Sequence, residues 1–133
     1  MYKFVIAIAV MFFGFITWII YLANTGGHSV FFDFTRAIPY GDKLGHFCLF
    51  GILTLLGNLA LKMRLVTIAR FKIYLGSLLV LLFVTVEELS QEFIATRTLD
   101  YGDLVADFLG VAVFSFLASW VSSVYFSEKK RRA

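Results

Sequence analysis

The chain has 133 residues, of which 60% are hydrophobic and 16% are charged, and its formal net charge is +3 at pH 7. Soluble domains carry about a quarter of their residues as charged side chains, so this composition excludes an ordinary soluble domain and predicts an integral membrane protein. The length, together with the lack of a Pro-, Gly- or Ser-rich linker in the sequence, predicts one domain over residues 1–133.

Four runs of the sequence are long and apolar enough for membrane-spanning helices, since a helix needs about 20 apolar residues to cross the hydrocarbon core. We expect helices over residues 4–22, 44–61, 73–93 and 104–126. Between the first two, the stretch SVFFDF at residues 29–34 is predicted to lie at the interface or to re-enter the membrane, as a lid or as packing. The sequence therefore predicts an all-α protein, an integral membrane four-helix bundle.

The basic residues are divided unevenly between the two sides of this predicted bundle. Only Arg36, Lys43 and Arg97 lie on one side. The other nine lie on the side of the termini, at Lys3, Lys62, Arg64, Arg70, Lys72, Lys129, Lys130, Arg131 and Arg132. Because Lys and Arg near helix ends favour the cytoplasm, we expect N- and C-termini that are both cytoplasmic. The basic C-terminal run is interpreted as an anchor near anionic lipid, so no nucleic acid is expected as a partner.

The acidic residues have the opposite distribution, with Glu128 alone on the cytoplasmic side. Eight lie on the extracytoplasmic side, at Asp33, Asp42, Glu87, Glu88, Glu92, Asp100, Asp103 and Asp107. Acids contribute little to membrane orientation, so topology does not account for this excess. The distribution predicts a site or a ligand on the outer face.

Helical spacing indicates which of these residues share a helix face. Gln91 follows Glu88 by three positions and Glu87 by four, and the same spacing relates Asp103 to Asp107 and Asp42 to His46. Glu88 lies roughly 8 Å inside the predicted helix end, where a charge costs on the order of 1–3 kcal/mol unless it faces the bundle, finds a partner or takes up a proton. The ends of three helices are therefore expected to contribute polar pairs at one membrane level.

Three of the carboxylates, Glu88, Asp103 and Asp107, are candidate catalytic groups and candidate metal ligands. In a partly desolvated cleft they would repel one another, so a shared proton, a divalent cation or a cationic ligand group is expected among them. His46 is a further candidate acid, base or metal ligand, or else a hydrogen-bonded partner of Asp42.

Two basic residues on the same side suit an anionic ligand, because Arg97 can bind a phosphate or carboxylate through two parallel hydrogen bonds and Lys43 adds a point charge. The predicted ligand-binding residues are Asp42, Lys43, His46, Glu88, Gln91, Arg97, Asp103 and Asp107. A simpler interpretation stays open, in which Arg97, Asp100 and Asp103 pair and cap the fourth helix. Ala106 and Gly110 form a small-residue pattern that permits close helix approach within the bundle or between chains, which leaves a homo-oligomer open.

These residues resemble two signatures of the VanZ-like membrane protein family. The segment DKLGHF resembles the signature D-K-x2-H-F, which opens a membrane helix in that family. The signature E-x2-Q-x-F-x3-R-x5-D-x3-D-x2-G is matched at Glu88, Gln91, Phe93, Arg97, Asp103, Asp107 and Gly110. The resemblance covers roughly residues 41–110 and implies a small multi-pass protein of the bacterial cytoplasmic membrane. The founding member of the family is associated with low-level resistance to teicoplanin, which implies an influence on glycopeptide susceptibility.

Three classes of function are consistent with these patterns. The first is a cell-envelope protein whose extracytoplasmic polar cleft binds or modifies a membrane lipid or a lipid-linked cell-wall precursor. The second is a metal-assisted membrane enzyme acting on a phospholipid or polyprenyl-linked substrate. The third is a proton-coupled transporter or a small structural membrane subunit.

Overall fold

The computed structural model describes residues 2–94 and 99–132 and shows a mostly helical chain with a short β-hairpin. Within these ranges the helices are α1 (Tyr2–Asn24), α2 (Val30–Ala37), α3 (Gly41–Ala60), α4 (Leu75–Ser90) and α5 (Tyr101–Arg132). The strands β1 (Leu65–Ile68) and β2 (Phe71–Tyr74) join α3 to α4, and a 3-10 turn (Gln91–Phe93) follows α4.

Three of the helices, α1, α3 and α5, are long and apolar enough to cross a membrane. The fourth, α4, has 16 residues, which rise roughly 24 Å at the α-helical spacing, against a hydrocarbon core of about 30 Å. Large apolar side chains lie exposed on the outer faces of the spanning helices, among them Phe4, Met11, Trp18 and Phe116. An apolar outer face of this kind is typical of helices that contact lipid.

The expectation of an all-α chain is wrong in one place, because residues 65–74 form an antiparallel β-hairpin in which Leu65 pairs with Tyr74. The strands LVTI and FKIY are rich in β-branched and aromatic residues, which favour extended backbone. Two residues connect them, the shortest common hairpin loop. The hairpin takes Ile73 and Tyr74 out of the predicted third helix, so α4 begins at Leu75.

The core of the bundle forms around α3, which contacts α1, α2, α4 and α5. The buried side chains of Phe50 and Leu53 in α3 cluster with Ile16 of α1, Val84 of α4 and Val111 of α5. This apolar layer lies part-way along each of these helices, and buried polar residues lie on both sides of it, among them Asn58 and Ser77 on one side and Glu88 and Asp107 on the other.

Two glycines allow neighbouring helices to approach the backbone of α3. A Cβ atom at Gly110 would collide with the carbonyl oxygen of Phe47, and a Cβ atom at Gly76 would lie 2.6 Å from the backbone nitrogen of Asn58. Gly110 therefore serves a contact within the bundle, which is one of the two alternatives that its small-residue pattern with Ala106 had left open.

The two ends of the bundle differ in charge. At one end the start of α3, the end of α4 and the start of α5 meet, and two groups of acidic side chains gather there. At the other end the hydroxyl of Tyr2 donates to the carbonyl of Ala60, and the ammonium of Lys62 lies 4.6 Å from the centre of the Tyr2 ring. The basic hairpin continues from that second end.

Candidate functional site

The site forms where three helix ends meet, because each helix carries its polar residues within its first or last two turns. The first turns of α3 contribute Asp42, Lys43 and His46, and the end of α4 contributes Glu88. The first turns of α5 contribute Asp103 and Asp107. The structure thus brings together side chains that lie up to 65 positions apart in the sequence, as the interval from Asp42 to Asp107 shows.

The innermost part of the site is a group of three side chains, His46, Glu88 and Asp107, which we call the inner cluster. His46 Nδ1 lies 3.0 Å from Asp107 Oδ1 and 3.5 Å from Glu88 Oε1. The side chains of Glu88 and Asp107 are 0% exposed. Both Glu88 carboxylate oxygens and Asp107 Oδ2 lack a hydrogen bond within the part of the chain that the structure describes.

A second group, the outer cluster, surrounds the ammonium of Lys43 and comprises Asp42, Asp100 and Asp103. Lys43 Nζ lies 3.0 Å from Asp100 Oδ2, 3.4 Å from Asp103 Oδ1 and 3.5 Å from Asp42 Oδ2. Asp103 connects the two clusters, since its Oδ2 lies 3.7 Å from His46 Nε2. The outer cluster therefore balances part of its negative charge with a lysine, in contrast to the inner cluster.

Asp100 performs two roles at the start of α5. Its Oδ1 accepts a hydrogen bond from the backbone N–H of Gly102 at 2.8 Å, which caps the helix, and its Oδ2 binds Lys43. The hydrogen bond from Lys43, followed by that from Gly102, lowers the pKa of Asp100 below its ordinary value. The capping interpretation is therefore correct for Asp100.

Gln91 contacts the site through another residue. Its Nε2 donates to both carboxylate oxygens of Glu87 at 3.2 Å, and both side chains are nearly buried. The sequence placed Gln91 on one face with both Glu87 and Glu88, and its described bonds are with Glu87. Arg97, the predicted anion ligand, lies outside the described residues.

The partners of His46 differ from one of the predicted alternatives. A hydrogen bond to Asp42 one turn away was one possibility, and the described ion-pair partners of His46 are instead Glu88, Asp103 and Asp107. The reason is that α5 packs closely against α3, so the imidazole meets carboxylates from neighbouring helices before one from its own.

The expected metal ligands, Glu88, Asp103 and Asp107, are also divided differently. Their potential ligand atoms fall into two described sets, each with all atoms within 4.8 Å of one another: His46 with Glu88 and Asp107, and Asp42 with Asp100 and Asp103. Asp103 lies one helical turn nearer the start of α5 than Asp107, which places it at the level of Lys43.

A cavity of about 260 Å³ opens beside these clusters, between α1, α2 and α3. Its apolar walls include Ile19, Ile20, Phe31, Phe32 and Phe50. Its polar lining includes Arg36, Asp42, His46, Glu87 and Asp103. The buried carboxylates of the inner cluster do not line the cavity and lie behind His46.

The stretch at residues 29–34, predicted as a lid or as packing, belongs largely to α2, which lines the cavity. Arg36 also lines the cavity, and its position in the sequence had indicated only topology. The signal for this short helix is present, since the Ser29 hydroxyl accepts from the backbone N–H of Phe31 as an N-cap. Aromatic residues and Arg36 then follow within two turns. What the sequence could not supply is the face of α3 on which α2 packs.

Comparison of the chain with protein-family models, with curated proteins and with solved structures finds no match. The resemblance to VanZ-like proteins therefore stays a prediction that rests on the two motifs.

Proposed function

We propose that the chain is a VanZ-like protein of the bacterial cytoplasmic membrane, in which α1, α3, α4 and α5 cross the membrane as a four-helix bundle. Both termini and the hairpin lie in the cytoplasm, and the cavity opens on the extracytoplasmic side. This orientation is supported by the separation of basic from acidic residues between the two ends of the bundle.

The proposed activity is binding of the polar headgroup of a membrane lipid or lipid-linked envelope precursor. The observation that carries it is the mixed lining of the cavity, with aromatic and aliphatic walls from α1 and α2 above a charged floor. Its volume is slightly below the usual range for ligand pockets, about 300–1,000 Å³, and so matches a headgroup better than a whole lipid. The acyl or polyprenyl chains would then lie along the exposed apolar helix faces.

The charges that line the cavity favour a phosphate ester that also carries amine or hydroxyl groups. Arg36 is exposed on α2 and suits a phosphate, whereas Lys43 is already held by three carboxylates. Asp42, Glu87 and Asp103 offer acceptors for an ammonium or for sugar hydroxyls. This headgroup chemistry is shared by aminophospholipids and by phosphate-linked sugars.

The test is lipid binding by the purified full chain in detergent. An ethanolamine phospholipid, a glycerol phospholipid and a polyprenyl phosphate are added in turn, and native mass spectrometry and melting temperature report binding. We expect Arg36→Gln and Gly45→Leu to weaken binding at least tenfold, a loss of about 1.4 kcal/mol. Gly45 lines the cavity, and a Cβ atom added there would lie 3.5 Å from the side chains of Phe31 and Thr35, so a leucine would occupy the space beside them.

The matched control is Asp33→Asn, which removes an exposed charge from α2 at a side chain that pairs with His28 and does not line the cavity. Equal lipid binding by Gly45→Leu and the unaltered chain would contradict the proposal. The influence on glycopeptide susceptibility is tested separately, by measuring teicoplanin sensitivity in a strain that lacks the chain and in the same strain complemented with Gly45→Leu.

A second candidate function, a metal-assisted membrane enzyme, is favoured by a specific observation. The inner cluster combines His46, which lines the cavity, with two further potential metal ligands behind it, Glu88 and Asp107. A metal there would polarise a phosphate ester in the cavity only after the His46 side chain moved aside to let the phosphate reach it. Hydrolysis or transfer of the headgroup by the metal-loaded chain, abolished in Gly45→Leu, would favour this candidate over simple binding.

A further inference from the structure

We infer that His46, Glu88 and Asp107 bind one divalent transition-metal ion, of the Zn²⁺ or Mn²⁺ type, behind the floor of the cavity. Each ligand comes from a different helix, α3, α4 and α5 respectively. The inference does not depend on the headgroup proposal, since neither Glu88 nor Asp107 lines the cavity.

The spacing of the donor atoms matches a coordination sphere. With metal–ligand distances of about 2.1 Å, neighbouring ligand atoms lie about 3.0 Å apart at right angles and about 3.4 Å apart in a tetrahedron. His46 Nδ1 lies 3.0 Å from Asp107 Oδ1 and 3.5 Å from Glu88 Oε1. These two distances fit the two geometries, and the ligand atoms of Glu88 and Asp107 lie within 4.8 Å of each other, so an ion would draw the two carboxylates together.

The buried carboxylate oxygens provide an independent second observation. Glu88 and Asp107 are fully buried, yet Glu88 Oε1, Glu88 Oε2 and Asp107 Oδ2 have no hydrogen bond among the residues of ranges 2–94 and 99–132. A buried acceptor without a donor costs about 1–3 kcal/mol, and more when it is charged. The ammonium of Lys43 contacts the outer cluster instead. Two carboxylates and a neutral imidazole together carry the charge that a divalent cation balances.

The surroundings of His46 fit a metal ligand as well. Metal-bound imidazoles usually have a carboxylate or carbonyl near the second ring nitrogen, which orients the ring. Asp103 Oδ2 is the carboxylate oxygen near that position, 3.7 Å from His46 Nε2, which is an ion-pair contact rather than a hydrogen bond. Asp103 belongs with Asp42 and Asp100 in the outer set of ligand atoms and is therefore not one of the three proposed ligands.

The donor set also indicates which metals would bind. An imidazole nitrogen with two carboxylates suits Zn²⁺ and Mn²⁺, whereas Mg²⁺ and Ca²⁺ prefer oxygen ligands alone. Three protein ligands leave at least one coordination position for water or for a bound molecule.

The test uses the full chain, purified in detergent without a polyhistidine tag and stripped with a chelator. Titration calorimetry with Zn²⁺, Mn²⁺ and Mg²⁺, together with elemental analysis after dialysis, measures affinity and stoichiometry. We expect about one Zn²⁺ or Mn²⁺ per chain and at least tenfold weaker binding of Mg²⁺. Glu88→Gln, Asp107→Asn and His46→Gln should each weaken Zn²⁺ binding at least tenfold.

The matched control is the exposed pair His28 and Asp33, whose Nε2 and Oδ2 also lie 3.0 Å apart. The double variant His28→Gln, Asp33→Asn should bind Zn²⁺ like the unaltered chain. The inference is overturned if Zn²⁺ does not bind saturably, or if Glu88→Gln and Asp107→Asn keep full affinity while Asp100→Asn loses it, which would place the ion in the outer cluster. Should the variants fail to fold, a melting temperature of the stripped unaltered chain that Zn²⁺ does not raise would also overturn it.

Discussion

Two polar regions are buried between α3, α4 and α5, one on each side of the apolar core, and they differ in how fully their hydrogen bonds are satisfied. Near the hairpin end, Asn58 Nδ2 donates to Ser77 Oγ at 2.8 Å, and the backbone N–H of Ser77 donates to Asn58 Oδ1 at 2.9 Å. Ser77 and Ser115 share a hydrogen bond at 2.6 Å between their hydroxyls. Among the described residues, the inner cluster at the other end keeps three carboxylate oxygens without such partners.

The network of Asn58, Ser77 and Ser115 has a structural explanation that is complete in itself. The N-cap residue of α4, Tyr74, makes no side-chain capping bond, and Asn58 from α3 binds a first-turn N–H of α4 in its place. A neutral, satisfied network of this kind joins helices in an apolar environment at little cost.

The inner cluster has no comparable structural explanation. Charged groups that are buried without full pairing destabilise a fold unless another component completes their interactions. Since the same three helices build both regions, the contrast supports the inference that the inner cluster binds a ligand. The apolar layer of Phe50, Val84 and Val111 separates the two regions, which argues against a continuous proton path.

The largest expected effect concerns the close contact beside the satisfied network. Gly76→Val would drive a side chain against the backbone of Asn58, so α4 must move away from α3 and the bonds of Asn58 to Ser77 are lost. We expect destabilisation of about 3 kcal/mol, measured as a lower unfolding midpoint in detergent. Gly14→Val is the control, because a Cβ atom at Gly14 would have no atom within 4 Å apart from its chain neighbours and the nearby backbone of its own helix. Equal stability of the two variants would show that the close contact at Gly76 does not stabilise the fold.

A smaller loss is expected when the network itself is broken. Asn58→Leu keeps a similar volume and leaves Ser77 without its partner on α3. Interhelical hydrogen bonds in membranes contribute about 0.6–2 kcal/mol, so the free energy of unfolding should fall by about 1–2 kcal/mol. An unchanged unfolding midpoint would show that the hydrogen bonds of Asn58 do not stabilise the fold, which would contradict the proposed difference between the two polar regions.

Neutralising the inner cluster should raise the stability of the metal-free chain or leave it unchanged, in contrast to the two substitutions above. Glu88→Gln and Asp107→Asn keep the shape of the side chains and remove buried like charges, so stability should stay equal or rise by about 0–2 kcal/mol. The measurement is the unfolding midpoint of the stripped protein, compared with that of Asn58→Leu. A fall as large as that of Asn58→Leu would assign the inner cluster to scaffolding.

The smallest effect is expected in the outer cluster, where Asp100 is partly exposed and screened by solvent. Its pKa is lowered in the folded chain by Lys43 and Gly102, so the folded state favours the ionised form. The resulting stabilisation is present at neutral pH and is lost as the pH falls through the lowered pKa. Asp100→Asn keeps the capping group without the charge, and its difference in melting temperature from the unaltered chain should shrink in acid. A difference that is constant with pH would contradict the ion pair.

The sequence by itself determined where the helices run and at which ends the acids gather. Long apolar runs specify helices in a membrane environment because the backbone has to satisfy its own hydrogen bonds there. Polar side chains within positions 42–46, 87–91 and 103–107 fall beside the ends of those runs. Helix length alone therefore predicted that they lie at the same depth in the membrane. The β-hairpin was missed because Ile73 and Tyr74 fit the end of an apolar run as well as they fit a strand.

Only the tertiary structure decided which groups pair. The interval of four residues from Asp42 to His46 made them neighbours on one helix, yet His46 binds Asp107 because Gly110 lets α5 approach the backbone of α3. The same crossing places Asp103 at the level of Lys43 and leaves Glu88 buried. Spacing along one helix fixes neighbours within that helix, whereas contacts between helices depend on their crossing and rotation, which are set by the packing of many side chains at once.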